Sequence, residues 1–334
     1  MDNKKRKIWI DIAKTVAILG VGLQHLNGWA YDNEFVYNVI LYAVPLFVLI
    51  GGYNLMDAYL RKGAVSPVSR ILKMALSYLV ATLVYCIYHG EIFNAPLVVD
   101  RLAFFDACAP MYYVAVYIWL MIATPVLVRI IGKGEGVKKA FRTVIGLVAV
   151  AGVSYTTTRL PDVMEVILGG GKILAGPWLL FHYAGMCVRA YEDDIKKKLS
   201  GKVPFIVNTV LIILWQYLFI VRGYNAYIPA IFGYEDILIT WATAALVLLM
   251  LIWFLQAGWI TDNKENIGLK LIALPGVYSL YIFLYHILFL EIYAEFFLTR
   301  MLNVSHLLNR LCLLSFVFLC PMLLGYLLSG RSHS

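Results

Sequence analysis

IWIDIAKTVAILGVGLQHLNGWA, residues 8–30, is apolar over a length that crosses a ~30 Å hydrocarbon core as a helix, yet it carries Asp11, Lys14 and His25. Eleven residues separate Lys14 from His25. At roughly 100° per residue that is about three turns, which sets the two side chains on one stripe about 16 Å apart. Asp11, Ile18 and Gly22 share the stripe. Ionisable groups at membrane depth usually face a bundle interior or a wet cavity, so this face is the first place to look for function. Gly22, one turn before His25, reads as a gap in the helix surface through which another molecule can approach.

Working outward, the same apolar texture fills the chain. Of its 334 residues 62% are hydrophobic and 14% charged, with a mean hydropathy of +0.78. This composition lies outside the range of soluble domains. Apolar runs of about 20 residues recur at 8–29, 36–58, 70–90, 111–131, 141–158, 174–191, 203–222, 236–258, 277–297 and 307–328. They are continuously apolar, without the period-two alternation of a membrane barrel. The expected fold is therefore all-α, a polytopic integral membrane protein of about ten transmembrane helices. Residues 1–334 form one transmembrane domain, with no run long and polar enough for a separate soluble one.

Charge sets the expected orientation. With the N-terminus cytoplasmic, 21 of the 28 basic residues fall in inner segments and six in outer ones, with Lys14 inside span 1. The positive-inside rule then makes both termini cytoplasmic. The net charge of +8 reflects this topology and anionic headgroups, and nucleic acid is not an expected partner. The five cysteines show no CxxC spacing and mostly sit within or beside apolar spans, where cysteine behaves as a small hydrophobe; a Cys86–Cys108 bridge near the outer face is the alternative. No metal-ligand spacing appears.

The residues that can carry chemistry are few. A neutral imidazole near the outer end of span 1, His25, is matched to taking a proton from an alcohol near neutral pH. A structural histidine bonded to a neighbouring helix fits the same position. Lys14, with Asp11 three residues earlier, can hold an anionic or carbonyl-bearing substrate, or can be a snorkelling anchor. In span 9, VYSLYIFLYHILFLEIYAEFF, His286 sits near the middle with Ser279 and Tyr293 seven residues to either side on the same face. Glu291 and Glu295 point away from that face and read as solvated ends. Gly51 and Gly52 read as packing glycines, His182 as a packed polar contact, and EDDIKKKLSGK (192–202) as a solvated loop.

Four of these segments together resemble acyltransferase family 3, the bacterial membrane-bound O-acyltransferases. IDIAKTVAILGVGLQH (10–25) is similar to that family's first helix, with its acidic residue, a basic residue three on and a histidine eleven beyond. VPLFVLIGGYNL (44–55) resembles its second helix, SPVSRILKMALSYLV (66–80) the basic opening of its third, and YSLYIFLYHIL (278–288) its late histidine-bearing helix. MYYVAVYIWLMIATPVL (111–127) and WLLFHYAGMCVRAY (178–191) fit more loosely. Two departures stand out: Lys14 replaces the usual arginine, and Gly51 the usual serine.

The resemblance implies an enzyme of the cell (cytoplasmic) membrane that moves an acyl group, typically acetyl, from acyl-CoA to a hydroxyl of a cell-surface glycan or lipid-linked sugar. No cofactor is bound, acyl-CoA being a co-substrate. It implies His25 as the catalytic histidine and Lys14 as its partner cation. Arg70, Arg129, Lys138 and Arg142 lie on the basic side, where they can attract CoA phosphates. The histidine would act as general base or through an acyl-histidine. The competing class is a multi-pass transporter or exporter of a polysaccharide intermediate or small polar solute. That class predicts paired broken helices in two repeated halves, and Pro45, Pro125 and Pro275 show no such interval.

Overall fold

A computed structural model describes residues 7–26, 33–133, 136–158, 176–222, 241–261, 266–297 and 306–328. Every described element is helical. In chain order they are α1 (Ile8–Gln24), α2 (Glu34–Ile40), α3 (Ala43–Lys62), α4 (Val68–Tyr88), α5 (Ala95–Phe104), a 3-10 turn (Ala109–Met111), α6 (Tyr112–Ile131) and α7 (Gly136–Thr158). They continue with α8 (Gly176–Ala190), α9 (Glu192–Leu199), α10 (Lys202–Arg222), α11 (Trp241–Ile260), α12 (Ile267–Val277), α13 (Ser279–Phe296) and α14 (His306–Leu328).

Each of the ten expected spans holds one helix of 15 residues or more. Six of the described helices, α3, α4, α6, α11, α13 and α14, are long and apolar enough to cross a membrane, or seven if the pair α9–α10, bent by 99°, is one span. The protein is thus an all-helical membrane protein, with the count of ten and the orientation still resting on the sequence. The other places fall short because of length or charge: α1 has 17 residues and carries Asp11 and Lys14, and α8 has 15. The α9–α10 bend sits at Gly201, whose φ of 118° a side chain would resist.

Small residues bring the backbones together at the centre. α3 and α8 cross where Gly52 lies against the His182 carbonyl and Gly185 against the Leu49 carbonyl, so each helix offers a missing Cβ to the other's backbone. Gly276 of α12 does the same against the Asp11 carbonyl of α1. There the Thr15 hydroxyl donates to the Ile272 carbonyl (2.8 Å) and accepts from the Gly276 N–H (2.9 Å). A regular helix joins those two groups directly, and the inserted hydroxyl ties α12 to α1 instead.

Several expectations change here. Phe318 of α14 occupies the space beside Gly22, so that glycine packs a neighbouring ring and admits no other molecule. Cys86 and Cys108 are both free thiols, buried within the fold. The 192–202 run is mostly the helix α9, and its first residue is fastened: Glu192 lies 3.3 Å from Arg189 and accepts from the Tyr53 hydroxyl at 2.7 Å. Glu291 and Glu295 reach across to α4, one 3.0 Å from His89 and the other accepting from the Tyr88 hydroxyl at 2.6 Å.

Candidate active site

α1 and α13 set their histidines side by side. The rings of His25 and His286 lie 5.3 Å apart, centre to centre, and tilted by 49°. His25 caps the C-terminal end of α1 and is half-buried, whereas His286 is fully buried. His286 Nδ1 lies 2.9 Å from the Ile282 carbonyl and 3.0 Å from that of Phe283. Carbonyls only accept, so Nδ1 carries the proton and Nε2 the lone pair. That Nε2 is buried and has no hydrogen-bond partner among the described residues. From α4, the Tyr85 hydroxyl accepts the Leu288 N–H at 2.9 Å and fixes the next turn of α13.

A cavity of about 230 Å³ runs beneath this pair. Val21 and Phe283 line it, each one turn before a histidine of the pair, while neither imidazole is part of the lining. Lower down its polar wall consists of Lys14, Asn54, Arg70, Tyr117, His182 and Ser279, set among aliphatic and aromatic side chains. Arg70 lies beside the Tyr117 hydroxyl and is otherwise exposed, so the cavity meets the surface there. The geometry is a mostly apolar passage with cationic side chains at one end and paired imidazoles just past the other.

Of the residues that sequence reasoning singled out, Lys14, Ser279 and Arg70 line this cavity, and His25 and His286 stand together one turn beyond it. The others lie elsewhere. Tyr293 donates to Asn309 Oδ1 at 2.6 Å and pins α13 to α14, at the opposite end of α13 from Ser279. Asp11 is buried on α1 outside the lining. Arg129, Lys138 and Arg142 are exposed and outside it too, Arg142 stacking its guanidinium over Gly132.

The structure also gives a place to His182, read from the sequence only as a packed polar contact, and brings in Asp57, which the sequence reading did not mark. His182 lines the cavity from α8, held by Thr124 of α6. Near the end where α3 finishes, Asp57 receives Arg61 and Arg189, each at 2.9 Å, and Lys7 donates to the Tyr53 hydroxyl at 2.9 Å. This buried carboxylate joins α3 to α8, which suits a charge that must be paired when water is withdrawn. Its signal in the sequence was an acidic residue in an apolar run four places before a basic one.

No curated protein and no solved structure matches the chain. A family model described as an acyltransferase domain matches residues 7–329, nearly the whole length, in keeping with the helical bundle and its histidine-bearing first helix. The chain belongs to acyltransferase family 3, and it is a membrane acyltransferase.

Proposed function

We propose that the protein moves an acyl group, acetyl in the simplest case, from acyl-CoA to a hydroxyl of a cell-surface glycan or lipid-linked sugar. One observation carries the reading: the cavity that opens beside Arg70 passes Lys14 and ends one helical turn below the His25–His286 pair. The basic end is cytoplasmic in this reading, as the bias of Lys and Arg suggests. Arg129, Lys138 and Arg142 raise the local concentration of the anionic donor, and Arg70 receives its phosphates. The slender arm of the donor then fills the cavity. Lys14 guides it, since the helical rise leaves about 16 Å between Lys14 and His25, too far for both to touch one carbonyl.

The chemistry falls to His25. Its imidazole takes the proton of the acceptor hydroxyl while the oxygen attacks the acyl carbonyl carbon. The carbon–sulfur bond breaks, and the departing thiolate recovers the proton from the imidazolium. His286, with Nε2 free, supports the charged ring from behind.

The test supplies labelled acetyl-CoA to membranes containing the protein or its His25→Ala variant. Label on a glycan or lipid-linked sugar that vanishes in the variant is the expected result. Unchanged labelling removes His25 from the mechanism. Solute accumulation in vesicles with no covalent modification identifies a transporter instead.

A further inference from the structure

Several polar side chains of the cavity wall are already engaged. Arg70 donates to the Tyr117 hydroxyl, and His182 is held by Thr124 and by the Val48 carbonyl. Asn54 of α3 differs: it lines the cavity, and its carboxamide makes no hydrogen bond among the described residues. An asparagine in an apolar helix ordinarily bonds across to a neighbour. Asn208 of α10 does so, donating to the Leu249 carbonyl at 3.1 Å and to Gln256 Oε1 at 3.0 Å. Polar groups at membrane depth are expensive, so one that joins no helices and lines a cavity asks for a ligand.

Its depth places it midway along the passage. Asn54 stands eight residues before the end of α3 at Lys62, about 12 Å along the helix, whereas Arg70 is two residues into α4, about 3 Å from its start. Residues 63–67 join those two helix ends, so Asn54 lies about 9 Å further in than Arg70. The start of α1 is at the same end, where Lys7 meets Tyr53, and His25 follows that helix about 25 Å away. Asn54 is therefore between the cationic mouth and the histidine pair. Ser279 and Tyr113 add single rotating hydroxyls to the wall, while a carboxamide offers donor and acceptor in one plane.

We propose that the Asn54 carboxamide grips the pantetheine arm of acyl-CoA, Oδ1 accepting the N–H of one amide and Nδ2 donating to the carbonyl of the next. The inference rests on the reading that acyl-CoA occupies this cavity. A trans amide points its own N–H and carbonyl to opposite sides, so one carboxamide cannot take both. The arm carries two amides separated by two carbons, and the N–H of the first and the carbonyl of the second can face the same way. The rest of that chain is largely apolar, which suits a wall that includes Val48, Leu120 and Met121. A sugar ring bears hydroxyls on all sides and would need several polar partners at this level. In the donor the amides stand between phosphates and thioester, the order in which Asn54 stands between Arg70 and His25.

The test measures binding of acetyl-CoA and of adenosine 3′,5′-bisphosphate, which has phosphates but no arm, to the purified full chain in lipid nanodiscs. Asn54→Leu, close in size, is expected to weaken acetyl-CoA by about tenfold to thirtyfold, the value of two neutral hydrogen bonds, and to leave the bisphosphate unchanged. Asn54→Ala removes the same bonds while opening space, and should show a similar loss. Weakening by leucine alone marks obstruction of the cavity and overturns the proposal. Unchanged acetyl-CoA affinity in both variants overturns it as well, since water then satisfies the carboxamide. Parallel loss of both ligands does the same, by making Asn54 structural. If the unsubstituted protein binds neither ligand, the reading of acyl-CoA as donor fails first and this one with it.

Discussion

His286 commits its only proton to the Ile282 and Phe283 carbonyls, so what it presents to the His25 side is a ring without a donor. His25, half-buried at the end of α1, keeps access from outside the helix. Loss of a general base typically costs 10²–10⁴ in rate, so His25→Ala is expected to reduce turnover by about that factor. Its melting temperature should stay close to that of the parent. Lys14→Met is expected to act differently, raising the KM for acetyl-CoA about tenfold with a smaller change in kcat, which a donor titration reads directly. A kcat loss equal to that of His25→Ala would place Lys14 at the reacting carbonyl. These two positions were legible in the sequence because ionisable residues stand out in an apolar run, and helical spacing fixed their stripe. His182 was not. It lines the cavity from α8 with its ring against Thr124 of α6, and no spacing within WLLFHYAGM encodes a partner on another helix.

Helix crossings explain why neighbouring glycines differ. Gly51 and Gly52 look alike in VPLFVLIGGYNL, but one faces a cavity and the other the α8 backbone. Gly52→Ala and Gly185→Ala each force α3 and α8 apart, at a cost of about 1–3 kcal/mol for overpacking. Thermal melting in detergent should show both destabilised, with Gly51→Ala near the parent; equal melting of all three would mean that the helices do not meet so closely. The loop before α5 allows a pH test. Arg101 donates to Glu91 at 3.1 and 3.3 Å, and these hydrogen bonds hold the Glu91 carboxyl below its ordinary value near 4.5. A carboxylate favoured by the fold contributes stability fully above its unfolded pKa, and the contribution is lost as pH falls through the lower folded value. Arg101→Gln is therefore expected to melt below the parent at neutral pH, with the gap closing under acid conditions. A gap that persists there would assign the effect to packing of the guanidinium. Neither feature could be read beforehand, since the contacts join residues that the sequence pattern treats as loop or as generic packing.

Across the whole molecule, polarity is arranged along the helices. Lys7, Asp57, Arg61, Arg189 and Glu192 gather at one end, and His89 with Glu291 at the other, with the cavity running between. Apolar run length marked where the helices lie, because each run must satisfy its backbone internally in lipid. It did not settle how many cross. α1 and α8 are short, and α7 begins with Lys138, Lys139 and Arg142, so membrane crossing there depends on neighbours that cover their polar positions. An exposed cysteine placed at each end tests the orientation. Lys196 on α9 and Phe93 in the loop before α5 are both exposed, and the basic bias puts the first in the cytoplasm and the second outside. In intact cells a membrane-impermeant maleimide should label Phe93→Cys and spare Lys196→Cys, with both reacting once the membrane is opened. The reverse pattern would put the Arg70 mouth of the cavity on the outer face. A cytoplasmic thioester would then have no route to Lys14, and the direction of acyl transfer proposed for this bundle would have to be abandoned.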